Sequence, residues 1–152
     1  VECIIENMIR TKKPEIKKDI LVDKNRKVMI IRKNAVIGRK IKFDGKVIVG
    51  MSACVWGDIH CDELNTGKNT ILSGNVKCRK AVLGSRTEFN YLSAKEVILQ
   101  NRCKGKHLKA ETAILRKNVS IEKLESETAY LDGVSSLGEV LAKKVVASKT
   151  EE

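Results

Sequence analysis

The sequence predicts an all-β fold, a parallel β-solenoid (β-helix) of about six to seven coils behind a short N-terminal extension, and three observations lead there. The first is an interval: LSAKEVIL, LKAETAIL and LESETAYL begin at Leu92, Leu108 and Leu124, 16 residues apart, and VLAKKVVA follows at Val140. The second is the spacing inside each unit. Apolar or small residues fall at Leu92, Ala94, Val97 and Leu99, then at Leu108, Ala110, Ala113 and Leu115, then at Leu124, Ser126, Ala129 and Leu131. A step of two is the strand period, and the odd step between pairs is a corner. A third pair completes each turn at Cys103 and Gly105, Val119 and Ile121, Ser135 and Leu137, so three short strands show two side chains each to one interior. The third observation is composition: 42% of the 152 residues are hydrophobic but only 3% aromatic, so Val, Ile, Leu and Ala must fill a narrow interior.

Taken in chain order, residues 1–27 read as the extension. Val1, Ile4, Ile5, Met8 and Ile9 form the stripe of an amphipathic helix over 1–13, which Pro14 ends. With Lys12 and Lys13 behind them, Ile4, Ile5, Met8 and Ile9 make a candidate anchor on an anionic membrane surface, where apolar burial and charge attraction add. The same stripe would equally cover an end or flank of the solenoid. Residues 15–27 read as a charged connector with a short apolar piece at Ile20 to Val22.

The β-helix domain is expected over 28–147, with 148–152 a short polar tail. Followed backward from Leu92, the first inward column runs through Val76, Ile59 and Ile41 with steps of 16, 17 and 18, so the early coils carry extra corner residues. The second column is Phe43, Cys61, Cys78, Ala94, Ala110, Ser126 and Ala142, and the third and fourth run from Val47 and Val49 to Val145 and Ala147. At about 4.8 Å per coil the rod is roughly 30 Å long. Gly38, Gly45, Gly50, Gly57, Gly67, Gly74 and Gly84 fall at or near corners, which predicts positive φ there.

Chemistry-bearing residues are sparse on this register. Cys61 and Cys78 share the second column, Cys54 and Cys103 are assigned to the fifth, and their column neighbours are Ala, Ser, Thr, Val and Ile, which predicts buried free thiols rather than a metal site. Such thiols suit a reducing, cytoplasmic compartment. Strand alternation turns His60 and His107 to solvent on separate coils. The 16-residue rhythm departs from the hexapeptide rhythm of β-helix acyltransferases, two histidines fall short of a zinc triad, and no acidic column suits glycoside cleavage. An enzyme is therefore not expected, and no catalytic, cofactor-binding or metal-binding residue is nominated.

Outward positions say more. On the second strand of each coil the outward row is Ile48, Asn65, Val82, Ile98, Ile114, Tyr130 and Val146, an apolar stripe broken only by Asn65. Ile48, Val82, Ile98, Ile114 and Tyr130 are thus expected to dock another rod or the N-terminal tail. The outward row of the third strand is expected to carry Val55, Leu72, Glu88, Lys104, Ser120 and Ser136. After VLAKKVVA only SKTEE follows, which predicts an uncovered last coil at Val140, Leu141, Val145 and Val146 and favours stacking of ends. Met29, Ile31 and Val36 are the corresponding candidates on the first coil.

Charge runs along the chain unevenly, for a net +11. Residues 59–110 hold 10 Lys or Arg against 4 acids, whereas 111–152 hold 6 against 8. A basic surface that engages nucleic acid or an anionic membrane is the alternative to assembly, although no zinc-finger, RNA-recognition or helix-turn-helix signature stands behind it.

Val36-Ile37-Gly38, Phe43-Asp44-Gly45-Lys46-Val47, Gly57-Asp58-Ile59-His60-Cys61 and Gly74-Asn75-Val76-Lys77-Cys78 resemble the glycine-plus-acid-or-amide coil starts of the bactofilins, polymer-forming cytoskeletal proteins. Over about 34–147 that resemblance implies a right-handed, three-sided parallel β-helix that stacks through its terminal coils into nonpolar filaments without nucleotide or cofactor. Its partner is then its own copies. The location implied is cytoplasmic, at the inner face of the membrane where an N-terminal stretch binds lipid. The later coils depart from the pattern by losing the glycine start.

Overall fold

The computed structural model describes residues 19–133 and 135–148. Among them the chain forms fourteen strands and no helix: β1 (Ile20–Asp23), β2 (Val28–Ile31), β3 (Val36–Ile37), β4 (Ile41–Lys42), β5 (Lys46–Val49), β6 (Cys54–Val55), β7 (Ile59–His60), β8 (Glu63–Thr66), β9 (Ile71–Lys77), β10 (Lys80–Leu83), β11 (Glu88–Leu99), β12 (Lys104–Leu115), β13 (Ser120–Asp132) and β14 (Ser136–Ser148). The helix expected over 1–13, with its candidate anchor Ile4, Ile5, Met8, Ile9, Lys12 and Lys13, lies outside the described residues.

From β2 onward the strands stack in parallel into a β-solenoid of about seven turns, and their pairings fall into three ladders. The first joins β4, β7 and the end of β9 to β11 through β14. Its inward column is Ile41, Ile59, Val76, Leu92, Leu108, Leu124 and Val140, as the repeat predicts. The second ladder runs β2, β5, β8 and β10 into β11, and the third runs β3, β6 and the start of β9 into the same strand. Coil length accounts for the strand lengths. Where the step is 18 or 17 the corner residues interrupt pairing, and where it settles to 16 the strands β11 to β14 run for 12 or 13 residues through all three ladders.

The segment expected as a connector contributes a strand. β1 pairs antiparallel with β2, Ile20 opposite Ile31 and Val22 opposite Met29. Asp23 Oδ1 accepts from the N–H groups of Asn25 and Arg26 at 3.1 and 3.2 Å, and Lys27 takes φ 54° to close the turn. An antiparallel hairpin does not follow a 16-residue interval, so the repeat holds no sign of it.

Register corrects the third ladder. Val55 and Leu72, expected to face outward, are 0% and 1% exposed in the inward column Ile37, Val55, Leu72, Phe89, Gly105, Ile121 and Leu137. Cys54 pairs with Ile71, whereas Cys103 follows Ala53, Thr70 and Thr87 through successive backbone hydrogen bonds. The extra corner residues of the early coils move the register by one, and one residue turns a strand over.

Positive φ also falls elsewhere than expected. It is carried by Asn34, Ser52, Asn69, Arg86, Arg102 and Asn118, stacked at the corner between the second and third ladders, and Gly133 is the one glycine with positive φ among the described residues. The corner glycines other than Gly38 serve close approach instead. A Cβ built on Gly84 would lie 2.6 Å from the backbone of Gly67, and one on Gly67 2.8 Å from Met51 N, so each glycine lets a coil settle on the one before.

Inside, Leu83, Leu99 and Leu115 stack fully buried, each burial worth about 1.5–3 kcal/mol. Most interior polar groups are bonded, Ser126 Oγ being buried without a partner among the described residues. Thr70 Oγ1 and Thr87 Oγ1 donate to the Gly67 carbonyl at 3.1 and 3.2 Å, and the Cys103 thiol donates to the Gly84 carbonyl at 3.1 Å.

Candidate assembly surfaces

At the C-terminal end β14 pairs with β13 along its length and, among the described residues, has no strand on its other edge. Val140 and Val145 continue the columns of Leu124 and Ala129, both 0% exposed, yet are themselves 37% and 50% exposed. Among the described residues nothing covers these two columns. Leu141, opposite Glu125, and Val146, opposite Tyr130, sit on the flanks of that last turn rather than on its end.

The opposite end is partly closed. Met29 and Ile31 lie on β2, whose outer edge β1 occupies, and Ile31 is fully buried. Val36 lies on β3, which pairs with β6 and, among the described residues, with no other strand. Of the three N-terminal candidates, Val36 alone stands on an open strand edge.

The stripe keeps the register read from the repeat. Ile48, Asn65, Val82, Ile98, Ile114, Tyr130 and Val146 succeed one another on the outward side of the second ladder. The row continues through Ile30 on β2 and Leu21 on β1, each 39% exposed; sequence reasoning missed both, Leu21 because β1 was not anticipated.

Titratable groups make small pairs. His107, expected in solvent, is half-buried: its Nε2 lies 2.6 Å from Glu125 Oε2 and its ring meets Tyr91 edge-on at 5.0 Å. An ionised carboxylate can only accept, so Nε2 carries the proton. That hydrogen bond, with nearby Lys123, outweighs burial and holds the Glu125 carboxyl below the usual carboxylate range. Arg79 binds both Asp62 and Glu63, at 3.0 and 2.8 Å, across one coil interval. Cys61 and Cys78 are half-buried free thiols; Cys78 beside it and burial push the Cys61 thiol up. Burial alone raises Cys103 to about 11, which keeps it an unreactive thiol. Cys54 departs from the free-thiol expectation, being disulfide-bonded. Among the described residues no group of three or more His, Cys, Asp or Glu could hold a metal, and no helix is long and apolar enough to cross a membrane.

The corner between the second and third ladders is strongly basic. Lys33, Lys68, Arg86 and Arg102 come to it from different coils, so their clustering is invisible to charge counts along the chain. A groove of about 410 Å³ runs along it.

Against known proteins, the chain matches no family model, no curated protein and no solved structure.

Proposed function

We propose that this chain is a structural subunit whose solenoids stack end to end into filaments without nucleotide. The observation that carries the reading is the last turn. Val140 and Val145 continue fully buried columns but lie 37% and 50% exposed, beside a 13-residue strand with an unpaired edge among the described residues. Such an edge templates a further strand, and apolar columns left uncovered among the described residues reward it. Glu139, Lys143 and Lys144 lie outside the inward columns, so they rim that surface without blocking it. A second solenoid placed there continues the interior.

This reading agrees with the bactofilin resemblance of the early coils. It takes over from that resemblance a right-handed, three-sided form and an N-terminal stretch that meets the membrane. The test is negative-stain electron microscopy of the purified chain without nucleotide, beside a Val140→Arg/Val145→Arg variant whose folding is checked by circular dichroism. Filaments from the unchanged chain and single folded particles from the variant are expected. Small particles from both, or filaments from both, would overturn the proposal.

A further inference from the structure

We propose that the basic corner is a track for a linear phosphodiester polyanion, single-stranded nucleic acid, bound through its backbone without sequence preference. The corner is a straight, rigid row. Asn34, Ser52, Asn69, Arg86 and Arg102 each donate a backbone N–H to the carbonyl of Met51, Lys68, Ser85, Asn101 and Lys117 on the following coil, at 2.9 to 3.1 Å. Positive φ at each of these positions fixes the turn, so the side chains leave it at one repeated angle.

Charge on the row is one-sided. Lys33, Lys68, Arg86 and Arg102 are all exposed, and the ion pairs among the described residues go instead to Arg26, Arg79, His107, Arg116 and Lys143. Between the cations the groove is lined by hydrogen-bonding Asn69, Asn101 and Asn118, and among the described residues no carboxylate lines it. Arg86 and Arg102 stand on successive coils, about 4.8 Å apart. Two arginines whose backbones are that close, with no acid paired to either among the described residues, can bring their guanidinium forks to successive anionic groups, each fork binding two oxygens.

The linear form selects the partner. Among the described residues no apolar side chain lines the groove, and the row beside it offers only Met51, 48% exposed between Lys33 and Lys68, so the burial that drives a protein onto a lipid surface is small. No aromatic side chain lines it either, so bases have nothing to stack on and recognition stays with the phosphates. A flexible single strand can lay successive phosphates along a straight row, whereas each strand of a duplex winds away from it.

The test is fluorescence anisotropy of a labelled oligothymidylate of twenty nucleotides over a range of salt. Arg86→Asn/Arg102→Asn removes two charges yet suits positive φ, since Asn34, Asn69 and Asn118 already stand in that column. Lys33→Gln/Lys68→Gln removes two more from positions without that constraint. Lys77→Gln/Lys109→Gln, on the outward side of the first ladder, is the equal-charge control. Each corner variant is expected to bind at least about tenfold more weakly at low salt, and the slope of log affinity against log salt to fall by about 1.4, the loss for two phosphate contacts on a single strand. The control should bind as the unchanged chain does. Equal weakening by the corner and control variants, or no binding by the unchanged chain, would overturn the proposal. So would a duplex competing better than the single strand, or corner-dependent flotation with phosphatidylglycerol vesicles in place of oligonucleotide binding.

Discussion

The ring of Phe89 occupies the space above which Gly105 has no side chain. The two are paired on successive coils of the inward third-ladder column, and a Cβ on Gly105 would collide with the Phe89 ring. One large and one absent side chain thus share a volume that two leucines divide elsewhere. Gly105→Val is expected to destabilise the fold by overpacking, by about 1–3 kcal/mol. Phe89→Leu should recover part of that loss in the double variant, as read by chemical denaturation. Additive losses would show that the two positions do not share the space.

Close approach rather than dihedral angle should govern the corner glycines. A Cβ on Gly74 would meet the backbone of Gly57, with Asp58 N at 2.8 Å, whereas Gly38 has nothing within 4 Å. Gly74→Ala should therefore lower the melting temperature, because the obstacle is backbone that cannot swing aside. Gly38→Ala should be neutral or raise stability by about 0.4–1 kcal/mol through the unfolded chain. Equal effects at the two positions would contradict the stacking of Gly74 on Gly57.

His107 and Glu125 predict an acid dependence. Because the folded Glu125 carboxyl titrates below its ordinary value of 4.5, its contribution is fully present above that pH and is lost as pH falls through the lower folded value. His107→Ala removes the partner, so unchanged chain and variant should differ in stability near neutrality and converge once pH has fallen below the lowered folded value. Both side chains are about 30% exposed, so the difference is small. A gap that widened with acid would reverse the assignment.

The apolar row on the second ladder should act in association. Ile98→Lys/Ile114→Lys leaves the inward columns untouched, since both residues sit outward between Val97 and Leu99 and between Ala113 and Leu115. Sedimentation velocity is expected to show a change in assembly state with folding preserved. An unchanged profile would leave the stripe without a role in association.

The seven positions of the first column and the later rungs of the second were legible in the residues alone, because alternation and a 16-residue interval are properties of one chain read in order. Reading failed where an extra corner residue entered: Val55 and Leu72 were placed on the wrong face, because a shift of one residue inverts a strand.

Other features were decided only by stacking. β1 folds back on β2 against the repeat, and it closes the edge that Met29 and Ile31 would have offered. Positive φ went to Asn, Ser and Arg at one corner because the glycines were needed where one backbone lies on the next. The sequence by itself determined the solenoid and its inward columns, since those follow from local periodicity. Tertiary structure decided which strand edge of the first coil is covered and which cations share a row, since these depend on residues that the fold brings side by side.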